Sequence, residues 1–218
     1  MMKNKYAYLV VFALVSLSLM AQDAEKKKVL GRLSKLESTY SQIANKIWGF
    51  AEVGYKEKQS SQLLQETLKQ AGFSIESGVA GIPTSFVATY GQGKPVIGIM
   101  AEYDALPGMS QDSIPTKRSI GATAGHACGH HLFGTASVAS AIAIRDWMKE
   151  TGQKGTIKLF GCPAEEGGSG KVYMVRDGVF AGADVMLHWH PNDVNSVSNT
   201  SSLANKTGKF RFYGLSSH

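Results

Sequence analysis

Val96-Ile97-Gly98-Ile99-Met100 is an unbroken apolar run, the pattern of a strand covered on both faces. A strand of that kind needs a layer of structure on each side. The surrounding sequence offers the material. Leu30, Leu33, Leu36, Tyr40, Ile43 and Ile47 recur at three- and four-residue steps and predict the apolar face of a helix. A second helix is expected from Ser60 or Ser61, as N-cap, to Ala71, with Gly72 just past its end. An Ala-rich stretch over residues 132–148 predicts a third helix, and residues 85–90, 156–160 and 185–187 read as further strands. Loop signals dominate residues 105–125. Strands alternating with helices argue for an α/β sandwich.

The chain has 218 residues, which at roughly 150 residues per domain suits one core plus the beginning of something further. With 43% hydrophobic and 18% charged residues, disorder as the main state is excluded. Two cysteines, Cys128 and Cys162, exclude a disulfide framework. The net charge of +6 is no nucleic-acid signal. Lys3, Lys5, Lys26, Lys27 and Lys28 crowd near the N-terminus, the rest is nearly balanced, and no basic stripe interleaved with aromatics follows.

Lys3 and Lys5, an apolar run from Tyr6 to Met20, and Ala21 before Gln22-Asp23 have the architecture of a signal peptide. The run is shorter than the about 20 apolar residues of a spanning helix. Residues 1–21 are therefore expected to be removed and the protein exported to a bacterial periplasm; an uncleaved anchor is the competing reading. No cysteine at the boundary is available to take a lipid. Near the other end, residues 194–206 are rich in Ser, Asn and Thr and read as a linker, and residues 209–213 alternate like a strand that starts a new unit.

Five of the six histidines fall in two short clusters, Gly-His126-Ala-Cys128-Gly-His130-His131 and Leu187-His188-Trp-His190-Pro191. Between them, directly after the strand expected over 156–160, stands Cys162-Pro-Ala-Glu165-Glu166-Gly-Gly. Loops after strands are where α/β proteins carry their sites. Cys, His and Glu are ligands for zinc, manganese or cobalt. Two adjacent carboxylates suit a division of labour, one holding metal while the other handles protons. Taken singly, each histidine reads as a hydrogen-bonded structural residue and Cys128 as a small buried hydrophobe; the three clusters together point to a metal site. Cys162 reads as a packing residue. Gly167-Gly-Ser-Gly170-Lys171 imitates a phosphate loop, but Glu165 stands where its first Gly belongs and Val172 where Ser or Thr is required. The same stretch fails as a nucleophile elbow because Lys171 replaces the last Gly.

In order, Met100-Ala-Glu-Tyr-Asp104-Ala-Leu-Pro107, Gly125-His-Ala-Cys128-Gly-His130, Pro163-Ala-Glu165-Glu166 and His190-Pro191 resemble the co-catalytic metallopeptidase family of aminoacylases, glutamate carboxypeptidases and auxin-conjugate amidohydrolases. The branch most similar is that of p-aminobenzoyl-glutamate hydrolase B subunits. Ile47-Trp48-Gly-Phe-Ala-Glu52-Val-Gly and Gly81-Ile-Pro-Thr84-Ser-Phe add context, and the resemblance covers nearly everything after residue 21.

The resemblance implies a three-layer α/β sandwich with a mixed, mostly parallel sheet of the zinc-exopeptidase type over residues 22–200, and the start of an α+β lid or dimerisation domain over 201–218. It implies two divalent metal ions, zinc or manganese, held by Cys128, His130, Glu166 and His190. Glu165 would serve as general base and then general acid, Asp104 would orient a histidine ligand, and His218 would match a lid histidine that binds substrate. His131 and His188 match no ligand position. The implied activity is hydrolysis of an amide bond in a small N-acyl amino acid or dipeptide-like substrate such as p-aminobenzoyl-glutamate, by a homodimer. Members of the family are about twice this length, the remainder being the lid and a return to the catalytic domain with a last histidine ligand. The chain is thus expected to be the catalytic half of a hydrolase or, alternatively, a truncated remnant that binds metal or peptide without turnover.

Overall fold

The computed structural model describes residues 23–197, together with 200, 201, 203, 204, 206, 208, 210 and 213. The signal peptide expected over 1–21 and His218 lie outside the described residues, as does most of the strand expected over 209–213. The described residues of the 194–206 segment carry neither helix nor strand.

The predicted N-terminal apolar face belongs to a helix that is interrupted once. Residues 23–35 are helical, and after a turn at Leu36 helix α1 (Glu37–Phe50) continues. Helix α2 (Lys58–Gln70) begins before the expected Ser60 cap, and Ser60 is buried. Its first N–H groups are instead met from outside by the Glu52 carboxylate, which accepts the N–H of Gln59 at 3.0 Å, the N–H of Ser60 at 2.9 Å and the Ser60 hydroxyl at 2.8 Å. A carboxylate at that end also suits the positive pole of the helix. The other end follows the sequence expectation. Gly72, at φ 88°, donates to the Lys69 carbonyl at 2.9 Å, and Phe73 donates to that of Leu68 at 3.1 Å, the paired closure that a glycine in this position permits.

The sheet runs β1 (Ser74–Ser77), β2 (Phe86–Gln92), β6 (Gly155–Gly161), β3 (Val96–Ala101), β7 (Val185–Leu187) in spatial order. It is mixed, as expected. Its parallel part is confined to β6, β3 and β7, while β1–β2 and β2–β6 are antiparallel. The antiparallel share arises because β1 and β2 are joined by the short 3-10 turn Val79–Gly81 rather than by a helical crossover. Between β3 and α3 (His130–Thr151) lies the predicted loop region, irregular except for the small ladder of β4 (Leu106–Pro107) with β5 (Ala124–Gly125). Strand β1, with the sequence Ser-Ile-Glu-Ser, has one partly buried position and no apolar pattern to betray it.

Side-chain alternation divides the strands between two cores. Phe86, Ala88, Ile99, Ile157 and Leu159 join Ile47, Leu64, Leu68, Val138 and Ile142 from the three long helices. On the opposite face Val87 and Phe160 pack with Ile82, Cys162 and Met174, the last from α4 (Gly170–Arg176). Three layers result, a thick helical one and a thin one enclosing the sheet. Cys162 is a buried packing residue, as its sequence reading has it. Gly134 fixes how closely α3 approaches the end of β3, because a Cβ there would lie 2.6 Å from the Glu102 carbonyl oxygen. Leu64→Ala, at a wholly buried position of the larger core, is expected to cost about 2–5 kcal/mol, read from urea unfolding midpoints.

Candidate metal centre

The carboxyl ends of the three parallel strands open onto one place. From β3 the chain runs on to Glu102 and Asp104, from β6 to Cys162 and the Glu165–Glu166 turn, and from β7 to His188 and His190. The start of α3 adds Cys128 and His130. His130 is wholly buried, and its Nδ1–H donates to Asp104 Oδ1 at 2.8 Å. The other Asp104 oxygen accepts the backbone N–H of Glu166 at 2.8 Å. This arrangement turns His130 Nε2 inward. It lies 3.1 Å from Glu102 Oε2 and 3.9 Å from Glu165 Oε2. Although close, His130 Nε2 and Glu102 Oε2 are not aligned as a hydrogen bond, and both are buried without a partner, as is Glu166 Oε1.

Two overlapping groups of potential ligand atoms emerge among the described residues, Cys128 with His130 and His190, and Glu102 with His130 and Glu165. Within the first, Cys128 Sγ and His190 Nε2 stand 3.4 Å apart. His190 is turned by a contact of its Nδ1 with the Pro191 carbonyl at 2.8 Å. Trp189, between the two histidines of its loop, points to α3. Its indole N–H donates to the Ser137 hydroxyl at 3.1 Å, and that hydroxyl donates to the Met100 carbonyl at 2.8 Å.

Electrostatics show what the site asks for. Burial alone would lower the pKa of His130, but the Asp104, Glu102 and Glu166 carboxylates outweigh it and hold the ring above the ordinary imidazole value. Burial, with Glu102 and Glu166 nearby, raises the Glu165 carboxyl. The Cys128 thiol is pushed up to about 12 by burial and by hydrogen bonding and repulsion from Glu166. Every one of these shifts calls for positive charge among the ligand atoms. Divalent cations would supply it, meet the three orphaned buried atoms and draw the proton from Cys128. The residues therefore fit the metal that the sequence resemblance implies.

Most of the expected site residues thus come together: Cys128, His130, Glu165 and His190 in the two groups, with Glu166 and Asp104 against them. Sequence reasoning missed Glu102 as a contributor. It is 2% exposed, and Lys171 and His188 approach its other oxygen, Lys171 as a direct hydrogen-bond donor and His188 Nε2 at 3.7 Å. Burial opposes its ionisation, but His188, Lys171 and His130 prevail and keep its pKa below the usual carboxylate value. Its place at the end of the apolar β3 run was the available signal. Lys171, the residue that imitates a phosphate-loop lysine, is instead the fixed cation of this acidic cluster. His126 and His131 sit behind the site with ring centroids 5.0 Å apart, and His126 Nε2 is 3.1 Å from the Ile47 carbonyl.

Residues 98–204 match peptidase family M20/M25/M40. The chain is 46% identical over 182 residues to the B subunit of p-aminobenzoyl-glutamate hydrolase from Escherichia coli (strain K12), covering 82% of this chain and 38% of that protein. The chain belongs to peptidase family M20/M25/M40. At lower identity, the Xaa-Arg dipeptidase of Mus musculus is 26% identical over 206 residues, 88% of this chain and 44% of its own length. Among solved structures, a putative aminohydrolase from methicillin-resistant Staphylococcus aureus superposes with a TM-score of 0.65 at 26% identity, covering 75% of this chain and 42% of that one. A dinuclear metal-binding M20 peptidase from Bacillus subtilis gives 0.64 at 22% identity, covering 73% and 44%, and shares the fold. The chain spans less than half the length of these relatives.

Burial and repulsion from His131 push His126 down to about 4, and burial and repulsion from His130 do the same to His131. An unfolded chain, whose histidines titrate near 6.5, binds more protons than the folded one between those values, so this contribution to stability is present above pH 6.5 and lost as pH falls toward 4. The metal-free protein is expected to lose more stability between pH 7 and pH 5 than its His126→Gln variant, as read from urea midpoints of both.

Proposed function

We propose that this protein is the catalytic part of a metal-dependent amidohydrolase that cleaves the amide bond of a small N-acyl amino acid or dipeptide-like substrate such as p-aminobenzoyl-glutamate. The observation that carries this reading is the overlap at His130 of a Cys–His–His group and a Glu–His–Glu group, around buried atoms that lack partners. Membership of the M20 family and the 46% identity to the Escherichia coli p-aminobenzoyl-glutamate hydrolase chain support it. Two divalent ions, zinc or manganese, would be held by Cys128, His130, Glu166 and His190, with Glu102 able to contribute from the inner side. When bound they supply polarisation of the substrate carbonyl and acidification of water.

Glu165 performs the proton work. Its carboxyl is partly exposed at the mouth of the site, next to His130 and the buried Glu102, and its raised pKa brings it nearer neutrality, where a group can both take and return a proton. It accepts the proton of the attacking water and passes it to the leaving amine as the carbon–nitrogen bond breaks. Asp104 keeps the proton of His130 on Nδ1 and so keeps Nε2 free for coordination. Lys171 holds Glu102 in place and offsets part of its charge.

Export follows in this reading from the cationic and apolar pattern of residues 1–21; among the described residues no helix is long and apolar enough to cross a membrane. The working assembly is a dimer, either with a second copy or with a different chain, as suggested by the Escherichia coli relative being named as one subunit of a hydrolase. Glu165→Gln in the full-length protein is expected to lower kcat for p-aminobenzoyl-glutamate by about 10²–10⁴-fold while metal content stays unchanged. Cys128→Ala and Glu166→Ala are expected to lower metal content itself, measured by elemental analysis after dialysis. Metal loss in Glu165→Gln would overturn its role as base, and metal uptake by the wild type without turnover would overturn the hydrolase reading.

A further inference from the structure

Glu57 is a carboxyl group with no solvent exposure that forms no ion pair among the described residues, and one of its hydrogen-bond partners lies 107 residues away in sequence. Its Oε1 accepts the backbone N–H of Ala164 at 2.7 Å, and its Oε2 accepts the Thr84 hydroxyl at 3.0 Å. Ala164 immediately precedes Glu165 and takes the left-handed conformation, at φ 56°, which a residue with a Cβ adopts at a cost. Glu166 and Gly167 are also non-helical. The turn is a single short helical stretch with these irregular residues inside it, closed by the Gly170 N–H on the Ala164 carbonyl at 3.3 Å, and contacts from outside add to that closure.

The far end of the turn is held from the same loop. The Tyr55 hydroxyl donates to the Gly168 carbonyl at 2.5 Å. Gly54 lets that loop lie flat against the turn, since a Cβ there would stand 3.0 Å from both Cα and Cβ of Ala164. Counting Asp104 on the Glu166 N–H, the backbone of the turn is gripped at residues 164, 166 and 168.

We propose that the loop of Gly54, Tyr55 and Glu57 is a clamp that sets the Glu165–Glu166 turn, with Glu57 as a positioning residue for the general base. The proposal rests on the hydrolase reading for its kinetic consequence and on geometry alone for its structural one. The side-chain hydrogen bonds of Glu57 go to Ala164 and Thr84, neither of them a proposed ligand, so it acts through the Ala164 amide. Displacement of a catalytic group by about 1 Å is enough to cost about 100-fold in rate.

Wild type, Glu57→Leu, Glu57→Gln and Tyr55→Phe of the full-length, metal-loaded protein are compared by hydrogen–deuterium exchange and by kcat and KM on p-aminobenzoyl-glutamate. Glu57→Leu is expected to speed exchange in the peptide spanning 163–170 about tenfold and to lower kcat about 100-fold, with KM within about threefold of wild type. Tyr55→Phe is expected to move both in the same direction by about threefold to tenfold, and it decides the matter if Glu57→Leu does not fold. Glu57→Gln keeps an acceptor toward Ala164 and is expected to restore most of the loss. Unchanged exchange at 163–170, or faster exchange spread over the whole chain, would overturn the clamp. So would a loss carried by KM rather than kcat. If the wild type cleaves no amide, the hydrolase reading fails while the exchange pattern still decides the clamp.

Discussion

One buried carboxylate ties this site together. Asp104 binds the ring of His130 with one oxygen and the backbone of Glu166 with the other, so two proposed ligands, one presented by a helix and one by a turn, are placed relative to each other by a single side chain. Its own position is set from two directions. The apolar β3 strand delivers it, and the next residue, Ala105, donates to the Glu52 carbonyl at 2.8 Å. Glu52 in turn closes the start of α2 with its side chain. A disturbance anywhere along this path would reach the proposed metal ligands His130 and Glu166.

The strand arrangement explains why so much negative charge converges. Parallel strands all end on the same side, so β6, β3 and β7 deliver Glu165 and Glu166, Glu102 and Asp104, and the two histidines of the last loop to one edge. Repulsion among the carboxylates is offset within the protein by Lys171 and by the hydrogen bonds to Asp104, but His130 Nε2 and one oxygen each of Glu102 and Glu166 keep no partner. Such a cluster is stable as a container for cations and costly otherwise.

The sequence was legible where one strong pattern decided the outcome. The unbroken apolar run of β3, the three- and four-residue steps of the helices and the glycine after α2 all have counterparts in the structure. So do the histidine, cysteine and glutamate clusters, which the fold gathers into one site. Long-range partners were not legible. The start of α2 escapes the sequence because its cap is Glu52, outside the helix, and β1 because its supports, pairing with β2 and packing of Ile75 on the core, come from elsewhere in the chain. Glu102 and Glu57 carry no sequence pattern that marks them as buried, since their burial comes from elements far away in sequence. Lys171 stands in a stretch that departs from the phosphate-loop pattern, and its partner Glu102 emerges only in three dimensions.

Trp189 gives the site an unexpected dependence. Strand β7 has only three residues, partly exposed, and contacts the sheet along one edge, so it is a weak mount for the proposed ligand His190. The indole nitrogen of Trp189 transfers the load to Ser137, in the interior of α3, and through its hydroxyl to the backbone of β3. His190 is thereby surveyed from the same helix that presents His130. The two imidazoles share one foundation, so the spacing between them depends on α3 as well as on the loop in which His190 is written.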